Sequence, residues 1–385
     1  MRAAFYAPLK APDHPVPSGD RTMGRLLRRA LQRGGHVVEV ACHFRSFEGA
    51  GDLDRQQRLA QMGERLAHAL IRRYRRRPPH DRPELWFTYH LYHKAPDWLG
   101  PAVSRALAIP YVVAEASYAP KRETGSWAQG CTATRTALAA ADLVLGLNSA
   151  DRACVLPLLK SPDCWQPLAP FVDPERAHVH IAEAAVRRQS LAHSIGLEAG
   201  SVLLLAVAMM RPGAKLASYR LLAQALTRVK DRRWHLLIAG DGPALGAVRA
   251  AFAELGPRVH WLGAQEPDTL ARLYPVGDIY VWPSIGEAYG MALLEAQAAG
   301  VPVVAGLTGG VGDIVRDGET GLLVPVGDEA AFAEAVARLI DNADERRMLG
   351  QQAARAVGQR HGLAAAAGAL DRLLTPLLAT RKTQE

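Results

Sequence analysis

Trp282-Pro-Ser-Ile-Gly-Glu-Ala-Tyr-Gly-Met-Ala-Leu-Leu-Glu-Ala-Gln-Ala-Ala-Gly-Val-Pro-Val-Val304 is the most informative stretch of this 385-residue chain. Ile279–Trp282 reads as a buried strand, because all four residues are β-branched or aromatic. A Pro/Gly loop follows, the spacing predicts a helix starting near Gly290, and Val301–Val304 predicts the next strand. Strand, helix and strand in that order make a βαβ unit, which joins parallel strands. Gly286 and Gly290 let the backbone come close to a ligand, and the helix start offers unpaired N–H groups to an anion. Glu287 falls in the loop, and Glu295 roughly 1.5 turns into the helix. One carboxylate can accept hydrogen bonds from hydroxyls beside a phosphate, the other from a group further along the ligand.

The same alternation runs outward in both directions. Strand candidates in the first half are Ala3–Ala7, His36–Ala41, Glu84–Tyr89, Pro110–Ala114 and Leu143–Leu147, with helices over Arg21–Gln32 and Thr132–Ala140 between them. Pro157–Pro174 holds five prolines with little periodicity and reads as a linker. An amphipathic helix is expected near His178–His193. Strands follow at Val202–Met209, His235–Ala239, Val259–Leu262, Ile279–Trp282, Val301–Val304 and Leu322–Val324. The Ala-rich stretch Gly362–Leu378 has apolar residues at helical spacing and is expected to pack. Two successive doubly wound α/β units with a cleft between them are implied, and the lack of a short repeat argues against a solenoid.

Composition narrows the classes. Apolar residues are 49% and charged residues 22%, a globular balance. The longest apolar run, Val202–Met210, is nine residues, against about twenty for a membrane span, and no secretory signal is expected at the N-terminus. Cys42, Cys131, Cys154 and Cys164 have no CxxC spacing and read as reduced thiols of a cytosolic protein. The net charge of +8 is uneven: residues 1–172 carry 24 Lys+Arg against 15 Asp+Glu, and the remainder 22 against 23. The run Arg72–Arg77 stands at a predicted helix end without a nucleic-acid module around it. It reads first as a solvated helix end and second as a contact for anionic lipid. No nucleic-acid partner is expected. Asp52-Leu-Asp54 is a literal DxD, but it lies among polar helix formers rather than after a buried strand.

The passage Trp282–Val304, with Glu287 and Glu295 spaced as E-x7-E, resembles the signature of retaining glycosyltransferases of the GT-B fold, family four. The resemblance covers residues 200–330 and is weaker over 1–170. It implies an α/β chain of two Rossmann-like, doubly wound domains facing a cleft. Residues 1–172, with the terminal helix 363–385 returning to them, would form the acceptor side, and residues 173–362 would bind a nucleotide-sugar donor. It implies a hexosyltransferase that needs no metal and no cofactor beyond the nucleoside-diphosphate sugar. The acceptor would be a saccharide, lipid-linked or small molecule. A cytoplasmic place in bacterial envelope or polysaccharide synthesis is expected, with a peripheral contact at the inner face of an anionic membrane.

Residue by residue, the resemblance assigns Glu295 to the ribose and Glu287 to the sugar hydroxyls, with the backbone of Tyr289, Gly290 and Met291 near the sugar and phosphates. Arg211 and Lys215 follow the strand Val202–Met209, where open α/β sheets bind ligands. They match the family's Arg and Lys that hold the departing diphosphate, although Met210 stands where the family usually has Gly. Gly240-Asp-Gly-Pro243 either shapes the nucleotide pocket or is purely structural. Gly309–Asp313 is flexible enough to wrap the donor. In the first half, the long loop Leu9–Asp20 offers Ser18 or Asp20 as a helix cap, Gly19 for close approach to a diphosphate, and Asp13 and His14 for the acceptor. The family's usual His after the fourth strand is missing from Tyr111–Tyr118. Glu115, Ser117 or Tyr118 would fill that space, with His90 and His93 as the other polar candidates. Two further classes stay open: a nucleotide-sugar epimerase of the same fold, and a donor-binding protein without chemistry.

Overall fold

The computed structural model describes residues 1–16 and 18–382, apart from the side chains of residues 176–179 and 380–382. Pro17, in the first long loop, and residues 383–385, at the end of the expected terminal helix, lie outside the described residues. The chain forms two compact units, Met1–Ala169 with Leu363–Glu385, and Pro170–Gly362.

The first unit holds six parallel strands: β1 (Arg2–Tyr6), β2 (Val37–Val40), β3 (Leu85–Leu91), β4 (Tyr111–Ala116), β5 (Leu143–Gly146) and β6 (Trp165–Pro167), in the order β2-β1-β3-β4-β5-β6. The sheet order reverses between β1 and β3, where Tyr6 pairs with Thr88. β3 and β4 are buried along nearly their whole length, as expected for parallel strands covered on both faces.

β6 falls inside the stretch expected to be a linker. It has three residues and ends in Pro167, which is tolerated because β6 is an edge strand. The Trp165 ring covers Gly146 of β5 so closely that a Cβ there would sit 2.3 Å from Cζ2. The terminal helix Leu363–Lys382 buries Leu370 and Leu374 and packs on the helix Gly19–Arg33.

The second unit repeats the scheme with β7 (Val202–Val207), β8 (Trp234–Ala239), β9 (Val259–Gly263), β10 (Ile279–Trp282), β11 (Val303–Leu307) and β12 (Gly321–Pro325), in the order β12-β11-β10-β7-β8-β9. Here the reversal lies between β7 and β10, which pair through Leu205 and Tyr280. The helix expected near His178–His193 is two helices, Pro174–Ile181 and Ala184–Ile195. Pro174, with its φ already set for a helix, starts the first, and Gly196 in a left-handed conformation closes the second. Among the described residues no helix is long and apolar enough to cross a membrane.

Candidate active site

In the second unit the loops after β7, β8, β10 and β11 all leave the carboxyl edge of the sheet. Open α/β sheets bind ligands at that edge, where the strand order reverses. Lys215 stands in the first turn of the helix Ala214–Arg228 after β7, and Glu287 in the loop after β10. They meet across the reversal: Lys215 Nζ lies 2.5 Å from Glu287 Oε2, with side chains 30% and 17% exposed. The Trp282 indole N–H donates to the same oxygen at 3.1 Å, and the Lys215 ammonium sits 5.2 Å from the Trp282 ring centroid. Arg211 is exposed, and its guanidinium has no hydrogen-bond or ion-pair partner among the described residues. One cation is held and one is open, both after the same strand.

The loop carrying Glu287 is fixed from two sides. The Ile285 N–H donates to Ser218 Oγ at 3.0 Å, tying the loop to the helix after β7. Ser284 is fully buried and takes a left-handed φ of 59°, uncommon for a non-glycine residue. From the β11 side, the Gly310 N–H donates to the Ala288 carbonyl. Gly309 has a φ of 50°, and a Cβ on it would lie 2.3 Å from the Glu287 carbonyl. Gly309 and Gly310 thus pack against the Glu287 loop, and the short helix Val311–Ile314 follows.

The helix of the opening stretch runs over Met291–Ala298, with Gly290 as its N-cap, so Met291 is its first residue. Tyr289 is buried just before it. Glu295 accepts a 2.7 Å hydrogen bond from the Tyr274 hydroxyl. Gly240 has a demanding place: a Cβ there would come 1.9 Å from the Ala208 carbonyl. The Gly-Asp-Gly-Pro turn is laced to the strand before Arg211, with the Met210 N–H donating to the Asp241 carbonyl at 2.9 Å. Close packing of the β7 and β8 ends explains Gly240, and the turn thereby holds the Arg211 loop.

The first unit has its own constellation at its strand reversal. Asp20, in the first turn of Gly19–Arg33, and His90, in β3, meet with Oδ1 2.9 Å from Nδ1. His90 and Glu115 both take left-handed backbone angles, φ 63° and 60°, near the ends of adjacent strands. Burial opposes charge on His90, but the nearby carboxylates of Glu115, Asp20 and Asp151 prevail and push its pKa up to about 9. Asp151 is pushed up to about 6, first by burial and then by Glu115.

Other candidates go elsewhere. Ser18 is the helix cap, accepting from the Arg21 N–H, which leaves Asp20 for His90. Asp13 pairs with His43 at 2.6 Å, while His14 Nδ1 accepts from the Val16 N–H in its own loop. His93 packs edge-on to the Trp127 ring at 5.4 Å. Tyr118 donates to Glu123. A Cβ on Gly19 would meet nothing within 4 Å, so packing does not require that glycine. Asp52 of the DxD caps the helix Leu53–Arg75. In the Arg run, Arg73 reaches the Ala41 carbonyl, Arg75 the Ala106 carbonyl and Arg77 Glu39, leaving Arg72 and Arg76 in solvent.

Residues 201–342, which carry every element of the second-unit site, match the family described as "Glycosyl transferases group 1". These residues are thus similar to a group 1 glycosyl transferase domain. D-inositol 3-phosphate glycosyltransferase of Corynebacterium efficiens is 39% identical over 137 residues, 34% of this chain and 32% of that protein. The namesake from Salinispora tropica is 42% identical over 106 residues, 28% of this chain and 22% of that one. The chain thus spans about a third or less of the length of these relatives.

Among solved structures, Anabaena HepE in complex with UDP matches with a TM-score of 0.71 at 16% identity, covering 98% of this chain and all of that one. Sucrose-phosphate synthase of Thermosynechococcus elongatus matches with a TM-score of 0.72 at 20% identity, covering 99% of this chain and 100% of that one. The fold of the chain is the two-domain α/β GT-B fold.

Proposed function

We propose that the protein is a retaining glycosyltransferase that moves a hexosyl group from a nucleoside-diphosphate sugar to an acceptor hydroxyl without a metal. The observation that carries this is the Lys215–Glu287 pair at the strand reversal, beside an Arg211 with no partner among the described residues, inside the stretch that matches the group 1 family. The solved complex of HepE with UDP-glucose supports the donor class, and the relatives' names support glycosyl transfer. WaaG, described as involved in lipopolysaccharide biosynthesis, matches with a TM-score of 0.64 and supports a place in bacterial envelope or polysaccharide synthesis. The cytoplasm is the corresponding compartment. The exposed Arg72 and Arg76 favour a peripheral contact with an anionic membrane.

In this mechanism Arg211 and Lys215 hold the diphosphate and stabilise the charge that grows as it leaves, the largest kind of electrostatic contribution to transfer. The diphosphate competes with Glu287 for the Lys215 ammonium, and Glu287 is then available to the hexose hydroxyls. Glu295 takes the ribose, and the backbone at Tyr289, Gly290 and Met291 approaches the sugar and phosphates. The bond from the anomeric carbon to the phosphate oxygen breaks, and the bond to the acceptor oxygen forms on the same face. The acceptor's proton passes to the departing phosphate oxygen. His90 and its carboxylates are the acceptor-side groups.

Thermal shift with UDP, GDP and ADP in the presence of EDTA tests the donor half. A ligand at 100 times its Kd stabilises by about 2.7 kcal/mol. One base should stabilise the wild type in EDTA, and an Arg211→Ala/Lys215→Ala double variant should lose the effect. No stabilisation by any of the three contradicts the proposal.

A further inference from the structure

Three buried tyrosines lie around the β7–β10 reversal. The Tyr219 hydroxyl donates to the Ala208 carbonyl at 2.7 Å, and the Tyr280 hydroxyl to the Val207 carbonyl at 3.0 Å. Both tie down backbone at the end of β7. Tyr274 differs. It lies in the turn Tyr274–Val276 before β10, is 3% exposed, and donates to a site carboxylate, Glu295 Oε2, at 2.7 Å. Burial, and then the Glu295 charge, hold the phenol's pKa well above its ordinary value, so it is the donor and the carboxylate the acceptor.

A glutamate on a helix has three rotatable bonds, and ordering it at the moment of binding costs affinity. A carboxylate has about four lone-pair sites, so the hydrogen bond from Tyr274 takes up only part of its accepting capacity. We propose that Tyr274 is a positioning residue that fixes the Glu295 carboxylate to receive the two vicinal hydroxyls of a nucleotide ribose. Nucleotide recognition then depends on a side chain that does not touch the nucleotide. This rests on the assignment of Glu295 to the ribose.

The test is calorimetry with whichever of UDP, GDP and ADP binds the wild type most tightly, together with its 2′,3′-dideoxy counterpart. The proteins are the wild type, Tyr274→Phe, Tyr280→Phe and Glu295→Gln. Tyr274→Phe should weaken the ribonucleotide about tenfold and the dideoxy analogue less than about twofold, the size expected for one charge-assisted hydrogen bond. Preference for the ribose hydroxyls should therefore shrink. Tyr280→Phe should leave that preference unchanged. Turnover by Tyr274→Phe should show a raised KM for the donor with kcat nearly unchanged, the pattern of lost uniform binding. If Tyr274→Phe weakens both nucleotides equally, or neither, while Glu295→Gln loses the ribose preference, the hydrogen bond is structural only and the inference falls. If Glu295→Gln keeps the preference, or no nucleotide binds the wild type, the ribose assignment falls and takes the inference with it.

Discussion

Lys215 and Glu287 are 72 residues apart and meet at 2.5 Å across β7 and β10, the two strands between which the sheet order reverses. Asp20 and His90 stand in the same relation in the first unit, across β1 and β3. In each unit a charged group after the first strand meets a partner in or just after the strand beyond the reversal.

The two cations after β7 should contribute unequally. Arg211 has no partner among the described residues, so Arg211→Ala removes the proposed diphosphate ligand and leaves no described residue unpaired. Its kcat should fall about 10²–10³-fold with little change in Tm. Lys215→Ala should cost a similar factor in rate and also some stability, because Glu287 loses its ion-pair partner while 17% exposed. Steady-state kinetics and thermal melts on both variants read this directly.

His90 gives a pH signature. Its pKa is raised in the folded state to about 9 against an ordinary value of 6.5, so the folded state binds the extra proton. The stability this contributes is fully present below about pH 6.5 and is lost as pH rises through about 9. Chemical denaturation between pH 6 and 10 should show the wild type weakening over that window. His90→Asn, which tolerates the left-handed backbone, should be flatter there.

The stacked pair His235 and His260, Nδ1 to Nε2 at 2.9 Å on β8 and β9, titrates the other way. Burial lowers both pKa values, with further lowering by Arg258 for His235 and by His235 for His260. The unfolded chain then binds more protons, so stability declines as pH falls below about 6.5. His260→Gln should lose less stability than the wild type between pH 7.5 and 5, measured as urea midpoints.

Two glycines separate packing from binding. Gly240→Ala would place Cβ 1.9 Å from the Ala208 carbonyl at φ 156°, which should destabilise by at least about 2 kcal/mol. Gly19→Ala meets nothing within 4 Å and should leave Tm unchanged or slightly raised. A fall in donor turnover for Gly19→Ala at unchanged Tm would assign that position to the diphosphate.

The buried parallel strands were legible in the sequence because a strand covered on both faces is a continuous apolar run, as in Val202–Val207. The edge strand Trp165–Pro167 was not, since three residues ending in proline carry no period. Within the site, Arg211, Lys215, Glu287 and Glu295 stood out as polar residues after or between apolar runs. Tyr274 did not, because a buried aromatic before a strand looks like any core residue. The Asp20–His90 contact joins residues 70 apart, and only the folded sheet brings them together. Asp20 looked equally able to cap its helix, a task that falls to Ser18.

The most direct test of the central claim is proton NMR of α-linked nucleoside-diphosphate hexoses incubated with the protein in EDTA, with water serving as a slow acceptor. The predicted result is release of the nucleoside diphosphate with the hexose first appearing as the α anomer, and loss of that release in Lys215→Ala. First appearance of the β anomer, isomerisation of the donor without diphosphate release, or an unchanged donor pool would contradict it.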